Sequence, residues 1–359
     1  MEDARYQEPY DKEALAQRAR SAVFDVVQQQ IASGIDIVND GELGKTNFSR
    51  YTRERISDFE ERPPKPGFIP SKICNRNIAN FPEYFEGLGE GTRGLHIRVF
   101  FCNAPLKYTG QAVLQADIDN FKAALQGVKV EEAFLPAVAP GTMEHWLKND
   151  YYPNDEAYLF AIADTMHREY KTIVDARFTL QIDDPDLPDA WQIHSNMSLA
   201  EYRKYAGFRV DAIIHALRGI PEDRVRFHVC WGSYHGPHKY DIPLREIVDL
   251  ILKIPVGAYS IEASNPRHEH EWWVWEDVKL PDGKILIPGV VSHVTDVVEH
   301  PELVAQRLVR FAKCVKKENI TAGSDCGLGT RVGHPKIAWA KFEAMIEGAR
   351  LATKELWGR

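Results

Sequence analysis

A chain of 359 residues, 44% hydrophobic and 27% charged, can bury a large core, and its length suits one big α/β domain or two ordinary ones. Its formal charge of −8 supplies no diffuse basic field, which argues against nucleic acid or an anionic membrane as the main partner and leaves small molecules. The charged start, MEDARYQEPYDKEALAQRAR, lacks a signal's apolar core and no membrane-length apolar run follows, so the expected location is the cytoplasm, where five scattered cysteines read as reduced thiols.

Residues 11–33 carry apolar positions at helical spacing, stop at Gly34 and lead into IDIVND, a short strand by its β-branched residues. Residues 58–94 are rich in Pro, Gly and charge. With the strand-like LHIRVFFCN (95–103) they read as an irregular or hairpin insertion spanning 58–105. Strand-like runs then recur at 130–138, 177–183, 224–230, 256–262, 284–291 and 319–325. Most are separated by segments long enough for helices, among them 155–175, 198–219, 243–254 and 301–318. Alternating strands and helices imply a parallel sheet, and this many repeats favour a closed (β/α)8 TIM barrel, read as a single catalytic domain over 1–359. No GxGxxG follows an early strand and no Walker loop occurs, which counts against the common nucleotide-binding folds.

In such a barrel the chemistry lies at the C-terminal strand ends, and a strand's period of two sends residues i and i+2 to one face. RFHVCWGS (226–233) therefore presents His228 and Cys230 together at the mouth. A free cysteine alone commonly acts as a small buried hydrophobe, so this pair gains meaning only from company. YSIEAS ends another predicted strand at Glu262, and TAGSDCGLGTR ends a third at Cys326, where Gly327 and Gly329 permit a sharp turn. One imidazole, two thiolates and one carboxylate suit Zn2+ better than magnesium or calcium, and ligands scattered along the chain suit a catalytic site better than a zinc finger.

HVC (228–230), SIE (260–262) and DCGLGTR (325–331), with QIDDP (181–185) and DGE (40–42), together resemble the catalytic barrel of the cobalamin-independent methionine synthase family, from about residue 15 to 355. The resemblance implies that His228, Cys230, Glu262 and Cys326 bind zinc, which holds the sulfur of homocysteine. It implies that Glu42 and Asp183 grip the amino group and belong to the catalytic residues, with Asp184 in the substrate-binding set where the family usually has glutamate. In APGTMEHW (139–146), Trp146 lies four residues after Thr142, the spacing of the family's folate-stacking tryptophan. Helix capping or a rim salt bridge is the plain alternative for each carboxylate, and core filling for the tryptophan.

The chain also departs from the family. Its Gly-Ser-x-Pro motif on the first barrel strand is not found, so that strand is missing or is replaced by LHIRVFFCN or another segment. A second, N-terminal barrel has no room, so the expected methyl donor is a simpler methylfolate, a methylated corrinoid protein or another donor. The Trp-rich loop 265–283, NPRHEHEWWVWEDVKLPDG, clusters His268, His270, Trp272, Trp273 and Trp275; it reads as an aromatic lid or a homodimer contact. HEHE is not the HExxH zinc motif, and His235 and His238 in SYHGPH read as solvent-facing residues or as groups that orient the site. The same ligands would serve epoxide opening by a thiol, as in epoxyalkane:coenzyme M transferase, with Lys45, Arg267 and Arg331 as candidate cations; a non-catalytic zinc-stabilised binding barrel is the third reading.

Overall fold

A computed structural model describes residues 11–62, 75–87, 99–234 and 236–358. Asp11 Oδ1 accepts the N–H groups of Glu13 and Ala14, capping the helix Lys12–Ala32, and Gly34, at φ +88°, turns the chain into the first strand. Ten strands follow in chain order. They are β1 Ile37–Asn39, β2 Phe59–Arg62, β3 Val99–Cys102, β4 Glu132–Val138, β5 Leu147–Asn149, β6 Thr179–Asp183, β7 Val225–Val229, β8 Ala258–Ile261, β9 Ile285–Val291 and β10 Gly323–Ser324.

Seven of them form one parallel sheet in the order β1-β4-β6-β7-β8-β9-β10, so each barrel strand lies beside the next in sequence. That is the order of a (β/α) barrel, though among the described residues the sheet has seven strands with β1 and β10 at its ends, where the sequence suggested a closed eight. Long helices at Asp155–Asp175, Leu199–Ala216 and Pro301–Val315 connect successive strands with the geometry the sequence periodicity predicts. The segment 243–254 is less regular, a 3-10 turn at Leu244–Glu246 and a single helical turn at Val248–Ile251. No described helix is long and apolar enough to cross a membrane.

LHIRVFFCN does not replace the first barrel strand. Its described part, β3, is antiparallel to β2 on one edge and parallel to β5 on the other, so both rows of its backbone groups are used in a separate three-stranded sheet. The described segment 75–87 of the insertion lies at the barrel rim. Arg76 donates to the carbonyls of Trp191, His194 and Met197, and the Asn77 amide donates to the Tyr234 hydroxyl, so this segment is fastened to the loops after β6 and β7.

A buried polar network fixes the loop after β1. Arg55, 2% exposed in its side chain, pairs with Asp117 and, at 3.3 Å, with Glu169. Glu169 also accepts from the hydroxyls of Tyr51 (2.9 Å) and Tyr108 (2.8 Å), and Tyr51 in turn accepts the N–H of Val138 at the end of β4. Removing the cation would leave two buried carboxylates uncompensated. Arg55→Ala is therefore expected to cost about 3–5 kcal/mol, read as a lower urea midpoint at unchanged m-value.

Candidate metal centre and active site

The parallel register brings the strand ends to one rim. Asp183 pairs with His228, and His228 with Ser260. From these rows the chain leaves β7 into Cys230, β8 into Glu262 and β10 into Cys326.

His228, Cys230 and Cys326 converge, their ligand atoms all lying within 4.8 Å of one another. The Nδ1 atom of His228 meets Ser260 Oγ at 3.2 Å, which orients the ring, while its Nε2 is buried without a hydrogen-bond partner. An orphaned imidazole nitrogen beside two thiols is a donor set for a soft or borderline cation, and zinc fits it. The protonation of the three groups agrees. Hydrogen bonding from Cys230 holds the Cys326 thiol well below its ordinary range, against burial and with further help from His228. The same contact with Cys326, followed by burial, drives Cys230 well upward. Burial opposes charge on His228, yet the neighbouring Cys326 raises it to about 9. A divalent cation bound there would displace the protons these groups carry.

Glu262 lies next to this trio, but its carboxylate groups with His293 and Asp325, again within 4.8 Å. Its Oε2 accepts the Trp231 N–H at 2.7 Å and its Oε1 accepts from the Asn265 amide. Burial first, then the charge of Asp325, pushes it up to about 8, and Cys326 adds to the rise. Asp325 accepts the N–H groups of Ala263 and Ser264, both at 2.8 Å, and so holds the loop that follows Glu262. His293 reaches Ser233 Oγ at 3.1 Å through Nε2, with Nδ1 buried and unpartnered. Sequence reasoning missed both residues. Asp325 sits beside Cys326 inside a quoted motif, and His293 follows the end of β9 by two residues; strand-end position was the available signal.

Across the mouth, Asp183 is half-buried, with Oδ1 accepting from Gln181 at 2.7 Å. Burial raises it to about 7, opposed by His228. Glu42 holds a left-handed backbone at φ +55° and accepts from Lys45 at 3.0 Å; Lys45 also donates to the Pro136 carbonyl at 2.6 Å. Buried Asp40 accepts the Glu42 N–H, fixing that turn. Asp184 is fully buried, and its Oδ1 takes the Thr142 hydroxyl and the Leu187 N–H, both at 3.1 Å, while Oδ2 has no partner. Trp146 ends the helix Pro140–Trp146 and is 39% exposed.

The Trp-rich segment is not a free lid. Trp275 is buried, and Trp272 and Trp273 pack partly buried against the main core beneath Arg310 and Arg245. His235 lies outside the described residues.

The family model for the catalytic domain of the cobalamin-independent synthases matches residues 139–351. The chain belongs to this family. Two of its curated relatives, the methionine synthases of Thermococcus kodakarensis and Pyrococcus furiosus, are each 24% identical to it, across 96% of this chain and 86% of theirs. Among solved structures, the B12-independent methionine synthase from Shewanella sp. W3-18-1 aligns at TM-score 0.75 and 19% identity, covering 98% of this chain and 92% of that one. The putative vitamin-B12 independent methionine synthase from Listeria monocytogenes aligns at 0.64 and 16% identity, covering 100% and 94%. These likenesses show a shared TIM-barrel-like fold.

In this chain Gly289 of β9 is required by the close approach of Asp325. A Cβ there would lie 2.0 Å from Asp325 Oδ1 and 2.7 Å from its Cα, so backbone must shift. Gly289→Ala is expected to destabilise the protein by about 1–3 kcal/mol and to displace the loop after Glu262, read as a lower thermal midpoint together with weakened metal binding.

Proposed function

We propose that this chain is a zinc-dependent methyltransferase that carries a methyl group from a methylfolate or methylcorrinoid-type donor to the thiol of homocysteine. The observation that carries the reading is the meeting of His228, Cys230 and Cys326 around an unpartnered imidazole nitrogen, with Asp183 and Glu42 facing the same mouth. Membership of the family and the names of its relatives support it.

His228, Cys230 and Cys326 would hold the ion, with Glu262 beside them as the fourth ligand. Zinc bound there supplies a Lewis acid that keeps a substrate thiol deprotonated at neutral pH. Asp183 and Glu42 offer carboxylates to an ammonium group, and Lys45 and Asp40 keep Glu42 in place. Asp184, by holding Thr142, fixes the helix that carries Trp146, whose exposed indole offers a flat face to the donor's ring. Transfer to a sulfonate-bearing thiol is less well served. It needs cations at the mouth, and Lys45 is engaged by Glu42 and the Pro136 carbonyl.

Cys326→Ser is expected to lower bound zinc and abolish methyl transfer while the circular dichroism of a folded barrel persists; full zinc and full activity would remove Cys326 from the site. Asp183→Asn should raise the KM for homocysteine at least tenfold while zinc content stays near that of the unaltered protein. An unchanged KM would take Asp183 out of the amino-group site.

A further inference from the structure

Two stretches left unused by the proposed chemistry, those around His238 and His268, meet through Asp241. From the loop after β7, Asp241 Oδ2 accepts from His238 Nδ1 at 2.8 Å and, across to the loop after β8, from His268 Nε2 at 3.1 Å. Asp241 Oδ1 accepts from Gln192 at 2.7 Å. The other nitrogen of His268, Nδ1, meets Glu271 Oε2 at 2.8 Å, and Glu271 Oε1 accepts the Leu244 N–H at 2.7 Å, a second tie between the two loops. Asp241, Glu271 and His268 are all buried.

His268 also stacks on Trp231, ring centroids 4.0 Å apart and planes 23° from parallel, while the indole N–H of Trp231 donates to the Ile242 carbonyl at 2.7 Å. Trp231 follows Cys230 directly, and its backbone N–H is one of the two donors that hold the Glu262 carboxylate. The second donor is Asn265, whose own Oδ1 accepts the N–H groups of Arg267 and His268 at 2.8 and 3.0 Å. The Trp231 donor therefore leans on the His268 ring, while the Asn265 donor is held by the backbone N–H groups of Arg267 and His268. We propose that Asp241 and His268 are positioning residues for the metal centre, fixing the separation of Cys230 and Glu262 by joining the loops that carry them. Four ionisable groups in a space that aliphatic side chains could fill carry a desolvation cost, and fixed geometry is what they supply in return. Each donor nitrogen is already paired with a member of the cluster or with the Tyr234 carbonyl, so the cluster holds itself rather than a second ion.

The inference rests on the zinc reading above, and the test separates the two. The full chain is loaded with Co2+ in place of zinc, and its visible d–d and thiolate charge-transfer bands are recorded with the Co2+ Kd from chelator competition. Asp241→Asn and His268→Ala are expected to move the d–d bands and weaken binding about 10–100-fold, with His268→Gln recovering part of the loss. A change that merely loosens the core, such as Ile251→Val, should lower the unfolding midpoint and leave the bands in place. If the first two variants fail to fold, Gln192→Ala removes only one partner of Asp241 and should shift both readouts in the same direction by a few fold. Bands present in the unaltered chain and unmoved in the folded variants would overturn this inference alone. No cobalt bands in the unaltered chain would overturn the metal reading and this one with it.

Discussion

Past the last paired residues of the parallel strands, backbone hydrogen bonding continues for one further step. Ala139 N–H donates to the Asp183 carbonyl, Asp184 to His228, Glu262 to Val229 and Asp325 to Val291, at 2.9 to 3.2 Å. Each bond ties the residue leaving one strand to the end of its neighbour. Residues distant in sequence are thereby held in a single row, and their side chains leave the sheet in directions set by the pleat rather than by the loops. A centre assembled from β7, β8 and β10 depends on that row, since a slip of one residue would turn His228 and Cys230 to the opposite face.

Electrostatics then decides what the row can hold. The mouth collects carboxylates, thiols and imidazoles in a buried setting, where unpaired charge is costly. Among His228, Cys230 and Cys326 the mutual contacts favour charge on Cys326 and on His228 and disfavour it on Cys230. Such an arrangement is tolerable without an ion and improves when one arrives, because a divalent cation satisfies all three groups at once. Metal binding at this site should therefore release protons.

Much of this was legible in the chain itself. Period-two reasoning on RFHVCWGS placed His228 and Cys230 on one face, and strand-end reasoning brought Cys326 to them from almost a hundred residues away. The β2/β3 pair of the separate sheet was legible as a hairpin insertion, but its third strand was not. β5 has three residues, too few to show a pattern, and only its pairing with β3 makes it a strand. Nor could the sequence show how Glu262 divides its attention, because the N–H of Trp231 and the amide of Asn265 are donors that any peptide and any asparagine possess. Their meaning comes from distance. The tryptophans of 272–275 could not be placed from sequence for a related reason: aromatic density does not say what covers it, and here the neighbouring helix Pro301–Val315 and the core take up most of the indoles.

The two hydrogen bonds on Glu262 are compatible with a ligand role. A carboxylate offers about four lone-pair directions, so an oxygen that accepts one N–H keeps a second direction for a cation. Ligating carboxylates are themselves generally hydrogen-bonded, and the donors set which oxygen faces the ion and at what angle. Trp231 and Asn265 come from the loops after β7 and β8, and Asp325, from beyond β10, anchors the backbone between them. Burial keeps the number of alternatives small, because every position open to the carboxylate must satisfy both oxygens without water.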